Sequence, residues 1–306
     1  MITTFYPPWN FGGDAVYVWQ LSNELALRGH QVTVIHCIDS YNILAEREPD
    51  GMYENHPNVE VHGLKSKYGF LSPLATQQTG QPFFKSRQIE GILAQGFDVI
   101  HFHNISLIGG PGVIKLGKGI KLYTTHEYWL LCPTHVLMRF GRKPCVEPSC
   151  FICQLVQKRP PQLWRYTGLM EDSLNSLDAI ISPSLFGKNL HEKNGLSVPI
   201  YHIPHFIAEN IYFTQPDVEH GTARPKEPFF LYVGRLEKIK GVQNLIPLFR
   251  RYKRAGLVIA GKGGYENEMR ELSRGSGNID MIGYLTPHEL RSFYKTATAI
   301  IVPSIN

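Results

Sequence analysis

Short, β-branched apolar runs alternate with longer segments of helical periodicity along the chain, and this rhythm constrains the fold more than any other feature. The apolar run at residues 31–37 (QVTVIHC) follows a segment at 15–28 whose apolar residues recur at helical spacing. Similar runs recur at 97–101, 120–125, 178–182 and 199–203. Buried strands separated by helices predict a parallel sheet in an α/β fold, with ligands at the carboxyl ends of the strands.

A polar stretch rich in proline interrupts the rhythm, and the 306-residue length suits two domains. We therefore predict a Rossmann-like, doubly wound parallel-sheet domain at 1–205, a linker at 206–228 and a second such domain at 229–306. The second domain is predicted to have strands at 229–233, 256–260, 279–282 and 297–302, and helices near 241–252, 266–274 and 287–296. These are about half the strands of a full doubly wound sheet, so the second domain is expected to be incomplete.

Composition and charge exclude several classes of function. The net charge of +5 comes without a dense basic and aromatic patch, so nucleic-acid binding is not expected. No apolar stretch approaches the roughly 20 residues that cross a bilayer, and residues 1–9 lack a signal-peptide pattern, which indicates a cytoplasmic location. Basic residues gather in the first domain, either as a solvated face or as a peripheral contact with an acidic inner membrane surface: Lys115, Lys118, Lys121, Arg139, Arg142, Lys143, Lys158, Arg159 and Arg165.

Two loops have the composition of phosphate-binding segments. The loop at residues 7–14 (PPWNFGGD) places Gly12 and Gly13 at the start of a helix, where free N–H groups attract anions. It lacks the dinucleotide fingerprint, which disfavours a nicotinamide cofactor, and a simple tight turn stays an alternative. The loop at 232–241 (YVGRLEKIKG) follows a strand and carries Arg235 and Lys240, which suit a pyrophosphate; two solvated surface cations are the alternative.

Five short motifs together resemble the retaining glycosyltransferases of family 4, which have the two-Rossmann fold called GT-B. They occur in the family's order over nearly the whole chain: Gly12-Gly13, Thr125-His126, Gly234-Arg235-x4-Lys240-Gly241, Gly261-Lys-Gly263 and Gly283-Tyr284. The resemblance implies that a sugar is transferred from a nucleoside diphosphate sugar to an acceptor hydroxyl with retention of anomeric configuration. The acceptor would be a glycan or glycolipid of cell-surface polysaccharide or glycolipid synthesis.

The resemblance also assigns roles to individual residues. Gly12, Gly13, Arg235 and Lys240 would bind the donor diphosphate, and His126 would lie close to the transferred sugar, its backbone carbonyl facing the reacting carbon. Backbone groups of four residues would contact the nucleoside: Gly261, Gly263, Gly283 and Tyr284. Because these contacts would not depend on side-chain identity, the sequence does not identify the base. The sugar nucleotide would be the only small molecule required, and no Asp-x-Asp motif of metal-using transferases occurs.

The resemblance leaves other functions open. The family continues beyond its counterpart of Pro303-Ser304 with two glutamates that hold the donor, so an inactive nucleotide-sugar-binding remnant or subunit is one alternative. A GT-B epimerase or phosphorylase is another. The segments at 41–84 and 132–165 are expected to be variable loops that shape the acceptor pocket.

Four cysteines form a further constellation within one short, loop-like stretch: Cys132, Cys145, Cys150 and Cys153. Four sulfurs at such spacing either bind zinc or pack the loop as reduced thiols. The sequence does not decide between these.

Overall fold

The computed structural model describes residues 1–45, 48–49, 53–207 and 228–305. The chain divides into two compact units, Met1–Phe206 and Ile207–Asn306. Nearly all of the predicted linker lies outside the described residues. No described helix combines the length and apolar character that crossing a bilayer demands.

The first unit alternates helices and strands through most of its length. Its elements are α1 (Gly13–Leu27), β1 (Val32–Cys37), α2 (Ile38–Leu44), β2 (Val59–Leu64), α3 (Leu71–Thr79), α4 (Ser86–Leu93), β3 (Val99–Phe102), β4 (Ile120–Thr124), β5 (Met138–Arg139), β6 (Lys143–Pro144), α5 (Cys150–Val156), α6 (Leu169–Leu174), β7 (Ala179–Ser182), α7 (Leu185–Lys193) and β8 (Ile200–His202). The five strands predicted after the N-terminal segment are confirmed to within two residues at each end.

The N-terminal segment occupies the middle of the first sheet. Ile2 forms parallel bridges with Ile35 of β1 and with Phe102 of β3, although no longer strand forms there. Backbone hydrogen bonds run to both sides, from Ile2 N–H to His101 O (2.8 Å) and from Thr3 N–H to Ile35 O (3.0 Å). The parallel order is therefore β2, β1, residues 1–4, β3, β4, β7 and β8. This order reverses direction between residues 1–4 and β3, the crevice where doubly wound sheets bind ligands.

Two stretches predicted as loops contain regular structure. The segment 41–84 includes β2 and α3, and 132–165 includes the antiparallel β5–β6 pair and α5. Strand β2 pairs with β1 from Val59↔Val32 to Leu64↔Cys37, with only its two end residues buried. Its mixed burial gives a weak apolar signal, which explains why the sequence pattern missed it.

Two residues of the predicted basic surface belong to the packed interior instead. Lys121 is 8% exposed, and its backbone N–H donates to Asp178 Oδ2 at 2.7 Å. The guanidinium of Arg165 lies over the rings of Trp129 and Trp164, and Nη2 donates to the Trp129 carbonyl at 2.7 Å. The guanidinium of Arg165 therefore supports packing in the first unit, and the backbone of Lys121 is fixed within the sheet.

The second unit is a four-stranded parallel sheet in the order β11-β10-β9-β12. Its elements are β9 (Phe229–Val233), α8 (Leu245–Arg251), β10 (Gly256–Ala260), α9 (Glu266–Ser273), β11 (Ile279–Gly283), α10 (Pro287–Thr296) and β12 (Ala299–Ile300). One face packs Tyr232, Leu257 and Met269, and the other packs Leu231 and Phe293. The chain order reverses between β9 and β12, so the loop after β9 begins at the ligand-binding crevice of this unit.

Candidate functional site

Arg235 lies in the loop after β9 and forms an ion pair within that loop. Its Nη1 is 2.8 Å from Oε1 of Glu237, and the two side chains are 56% and 37% exposed. The Tyr232 hydroxyl donates a hydrogen bond to the Arg235 carbonyl at 3.0 Å, which fixes the backbone of the loop at Arg235. A partly exposed guanidinium on a fixed backbone can rotate from one carboxylate to another anion at small cost.

Lys240 ends a short 3-10 turn, Lys238–Lys240, and is half-buried. The predicted helix near 241 begins only at Leu245, after a second 3-10 turn at Val242–Asn244. Gly241 between the turns has φ +71°, which prevents a continuous helix. An α-helix dipole therefore does not begin at Lys240, and the positive charge of this loop comes from the side chains of Arg235, Lys238 and Lys240.

Gly261 and Gly263 allow the loop after β10 to lie directly against the loop after β9. A Cβ added to Gly261 would come within 1.9 Å of the Gly234 carbonyl oxygen, and one added to Gly263 within 2.3 Å of the Leu236 carbonyl oxygen. Hydrogen bonds join the two loops, including Leu236 N–H to Lys262 O at 3.0 Å. These two glycines are thus required by packing, independently of any nucleoside contact.

Gly283 and Tyr284 continue this arrangement into the loop after β11. The N–H of Gly261 donates to the Gly283 carbonyl at 2.6 Å, and the Tyr284 side chain is 62% exposed. The second unit thus brings all of its predicted site residues into three adjoining loops at one sheet edge. It adds Glu237, an acidic neighbour of Arg235 to which sequence reasoning gave no role.

In the first unit, Gly12 and Gly13 form the N-terminal entrance to α1. Apart from its chain neighbours and the backbone of α1, no atom in the described part of the chain lies within 4 Å of a Cβ built on Gly13, whereas one built on Gly12 would be 3.2 Å from Asp14 Oδ1. Asp14 sits in the first helical turn, and its Oδ2 accepts a hydrogen bond from Asn104 Nδ2 at 3.3 Å. The glycine loop and the loop after β3 therefore meet at the crevice of this unit.

His126 is the centre of a line of three hydrogen-bonded imidazoles. Its Nε2 lies 3.0 Å from Nδ1 of His103, and its Nδ1 lies 3.2 Å from Nε2 of His205. At one end, Nε2 of His103 is 3.4 Å from the sulfur of Met1. At the other end, the His205 ring stacks on Tyr17 with centroids 3.7 Å apart. The sequence analysis assigned no role to His103 or His205.

Burial keeps these imidazoles neutral. It lowers the pKa of fully buried His103 well below its usual value, with help from the neighbouring imidazoles. The pKa of His126 is lowered by burial and is partly restored by the charge of Asp14. Partial burial also lowers the pKa of His205. Behind them, burial lowers the pKa of His101 to about 3.

The four clustered cysteines are all free thiols. Cys153 is buried, and its sulfur accepts hydrogen bonds from Phe140 N–H at 3.2 Å and from Gln157 Nε2 at 3.1 Å. Within the described parts of the chain, no three histidine, cysteine or acidic side chains are arranged to hold a metal ion. The zinc alternative therefore gains no geometric support here.

Two Rossmann-like units in one chain, each with a glycine-containing loop at its switch point, are the architecture of the GT-B fold. The sequence profile of Glycosyltransferase Family 4 matches residues 11–210, and that of Glycosyl transferases group 1 matches residues 215–306. The chain therefore belongs to glycosyltransferase family 4.

Known proteins similar to this chain agree with that assignment. An uncharacterized glycosyltransferase of Methanocaldococcus jannaschii is 25% identical over 324 residues, covering 100% of this chain and 74% of that protein. Sucrose-phosphate synthase of Thermosynechococcus elongatus is 16% identical with a TM-score of 0.65, covering 99% and 74% of the two chains. Anabaena HepE in complex with UDP is 14% identical with a TM-score of 0.58, covering 100% and 73%. The two solved structures share the fold with this chain.

Proposed function

We propose that this protein transfers a sugar from a nucleoside diphosphate sugar to an acceptor hydroxyl with retention of anomeric configuration. The observation that carries the proposal is the loop after β9, where the half-exposed Arg235 and half-buried Lys240 stand at a topological switch point. As the glycosidic bond breaks, negative charge grows on the leaving diphosphate. Cations aimed at that charge stabilise the transition state more than the ground state, which is the requirement for catalysis.

Gly261, Gly263, Gly283 and Tyr284 form the nucleoside side of this proposed donor site. Their three loops are fixed to one another by backbone hydrogen bonds, which makes the surface rigid before a ligand arrives. UDP is the first nucleotide to test, since the Anabaena relative is a complex with UDP. No cofactor beyond the sugar nucleotide is part of the proposal.

The first unit contributes Gly12, Gly13 and His126. Apart from its chain neighbours and the backbone of α1, a Cβ on Gly13 would meet no atom of the described residues within 4 Å, so a phosphate oxygen can approach the N-terminus of α1 closely. His126 is proposed to lie beside the transferred sugar. No hydrogen bond to its backbone carbonyl oxygen is found among the described residues, so that oxygen stays available to an electron-poor anomeric carbon.

The acceptor is proposed to be a glycan or glycolipid at the inner face of a membrane. Helix α5 supports this placement because its outward side chains are apolar: Phe151, Ile152, Leu155 and Val156 are 44–57% exposed. Exposed cations flank the helix at Arg142, Lys143, Lys158 and Arg159. An apolar face with a cationic rim suits an anionic lipid surface.

Vesicle sedimentation tests this membrane contact. The chain should bind vesicles of anionic phospholipid but not zwitterionic ones, and the double variant Ile152→Glu/Leu155→Glu should lose that binding. The matched control Leu185→Glu/Phe186→Glu introduces the same charges at exposed apolar positions of α7 and should still bind. Equal binding by both double variants would dismiss α5 as the contact.

Turnover of a panel of nucleoside diphosphate sugars tests the activity itself. Release of nucleoside diphosphate should depend on an added acceptor, and proton NMR of the product should show the donor's anomeric configuration. Epimerised nucleotide sugar without acceptor would favour an epimerase instead. Nucleotide binding without turnover of any donor would favour a binding subunit.

A further inference from the structure

We infer that His103 and His205 are positioning residues that hold His126 in a single neutral tautomer, with its proton on Nε2. The carrying observation is the unbroken line of contacts from the Met1 sulfur through His103 and His126 to His205. Its successive separations are 3.4 Å, 3.0 Å and 3.2 Å.

The sulfur at one end sets the direction of every proton in the line. A thioether sulfur only accepts hydrogen bonds, so the Nε2 of His103 that faces it must carry the proton. A neutral His103 then has an acceptor at Nδ1, which receives the Nε2 proton of His126. By the same step, Nδ1 of His126 receives the Nε2 proton of His205.

The reverse direction leaves a buried polar atom without a partner. His103 has 0% exposure, and reversing the line would aim its Nε2 lone pair at the lone pairs of the Met1 sulfur. A buried acceptor without a donor costs about 1–3 kcal/mol, a five- to 150-fold preference for the forward direction. The line is therefore a tautomer lock: it holds His126 in one tautomer and does not conduct protons, because the Met1 sulfur at its buried end cannot take up a proton.

The groups around His126 keep its ring neutral, which is the protonation state that the lock requires. Burial lowers the pKa of His126, Asp14 on α1 partly raises it, and His205 after β8 lowers it further. Tyr17 of α1 meets the His126 ring edge-on at 5.5 Å. The nearby N-terminal amine has its pKa lowered to about 5 by burial, so it is uncharged at neutral pH and does not disturb the line.

The effect of the lock on the reaction rests on the proposed function. Both ring nitrogens of His126 are engaged by other imidazoles, so the ring does not exchange a proton with a bound sugar. What His126 presents to the donor is its backbone, held at the end of β4 by the fixed ring. His205 terminates the line with an Nδ1 acceptor and is exposed at the surface of the unit.

Long-range proton–nitrogen NMR of the full chain labelled at histidine tests the lock without donor or acceptor, so failure of the proposed function leaves this readout intact. The His126 signals should show an Nε2–H tautomer from pH 6 to 8. An Nδ1–H tautomer or an imidazolium in that range would overturn the inference.

Variants of exposed His205 keep the test independent of core packing. His205→Leu removes the donor to Nδ1 of His126 and should shift the nitrogen signal of that atom, whereas His205→Gln retains an N–H donor there and should restore it. With a turned-over donor, His205→Leu should lower kcat about tenfold with little change in donor KM, and His205→Gln should recover most of the loss. An unchanged His126 spectrum in His205→Leu would refute the role of His205.

Discussion

The ion pair between Arg235 and Glu237 predicts opposite effects for two neighbouring substitutions on nucleotide binding. Arg235→Ala removes a charged contact to the diphosphate, worth about 1.5–3 kcal/mol, and should weaken the Kd about 10- to 150-fold. Glu237→Gln removes the carboxylate that holds the guanidinium at 2.8 Å. A half-exposed pair is worth about 0.2–1 kcal/mol, so releasing it should tighten the Kd about 1.4- to fivefold.

Titration calorimetry with UDP, GDP and ADP measures both effects on whichever nucleotide binds. Glu271→Gln is the matched control, because Glu271 forms an ion pair of equal length with Arg274 at the far end of α9. It removes the same charge and should leave the affinity unchanged. Weaker binding in Glu237→Gln, or equal binding in Arg235→Ala, would refute the reasoning that the diphosphate replaces the carboxylate on Arg235.

Three further outcomes follow from the same structure. Gly13→Ala should raise the free energy of unfolding by about 0.5–1 kcal/mol, because alanine is more stable than glycine in a helix. The same change should weaken donor binding about tenfold, and unaltered binding would remove Gly13 from the site. Gly261→Ala should lower the free energy of unfolding by about 3 kcal/mol in urea titrations, because its Cβ would lie 1.9 Å from a carbonyl oxygen, and near-native stability would contradict that packing. Burial lowers the pKa of His36 to about 4, so at this residue the unfolded chain binds more protons than the folded chain between about pH 6.5 and 4. His36 alone should therefore lower the free energy of unfolding by about 1 kcal/mol for each unit that the pH drops through that window, in addition to the contributions of the other buried histidines. The slope should be smaller by that amount in His36→Gln, and an equal slope would exclude the residue.

Two strands of the second unit could be predicted from the sequence residue by residue, whereas the helix expected near 241 begins at Leu245 and the strand expected at 297–302 spans only Ala299–Ile300. Strands Phe229–Val233 and Gly256–Ala260 lie as expected because each is a continuous apolar run buried on both faces. Helix α10 begins where Thr286 and Glu289 form a capping box, a local signal that needs no tertiary information. Such elements are determined by neighbouring residues alone.

The features that escaped prediction depend on contacts between distant parts of the chain. His126 and His205 are 79 residues apart, and no periodicity connects them. Strand β2 has mixed burial, so its pattern is weak until it pairs with β1. Gly241, with φ +71°, replaces the expected helix start with 3-10 turns, and the apolar pattern of the sequence does not reveal this backbone conformation.

The proposed chemistry rests on the charges of one loop. Arg235 and Lys240 are the cations that the proposal assigns to the leaving diphosphate. Without these two cations, neither the glycine loops nor His126 would stabilise the negative charge that develops on the leaving diphosphate.

A crystal structure of the full chain with its bound nucleoside diphosphate tests this most directly. We expect a guanidinium nitrogen of Arg235 within about 3.2 Å of a phosphate oxygen, with Glu237 displaced from it. A diphosphate bound elsewhere, with Arg235 still paired to Glu237, would refute the role proposed for Arg235.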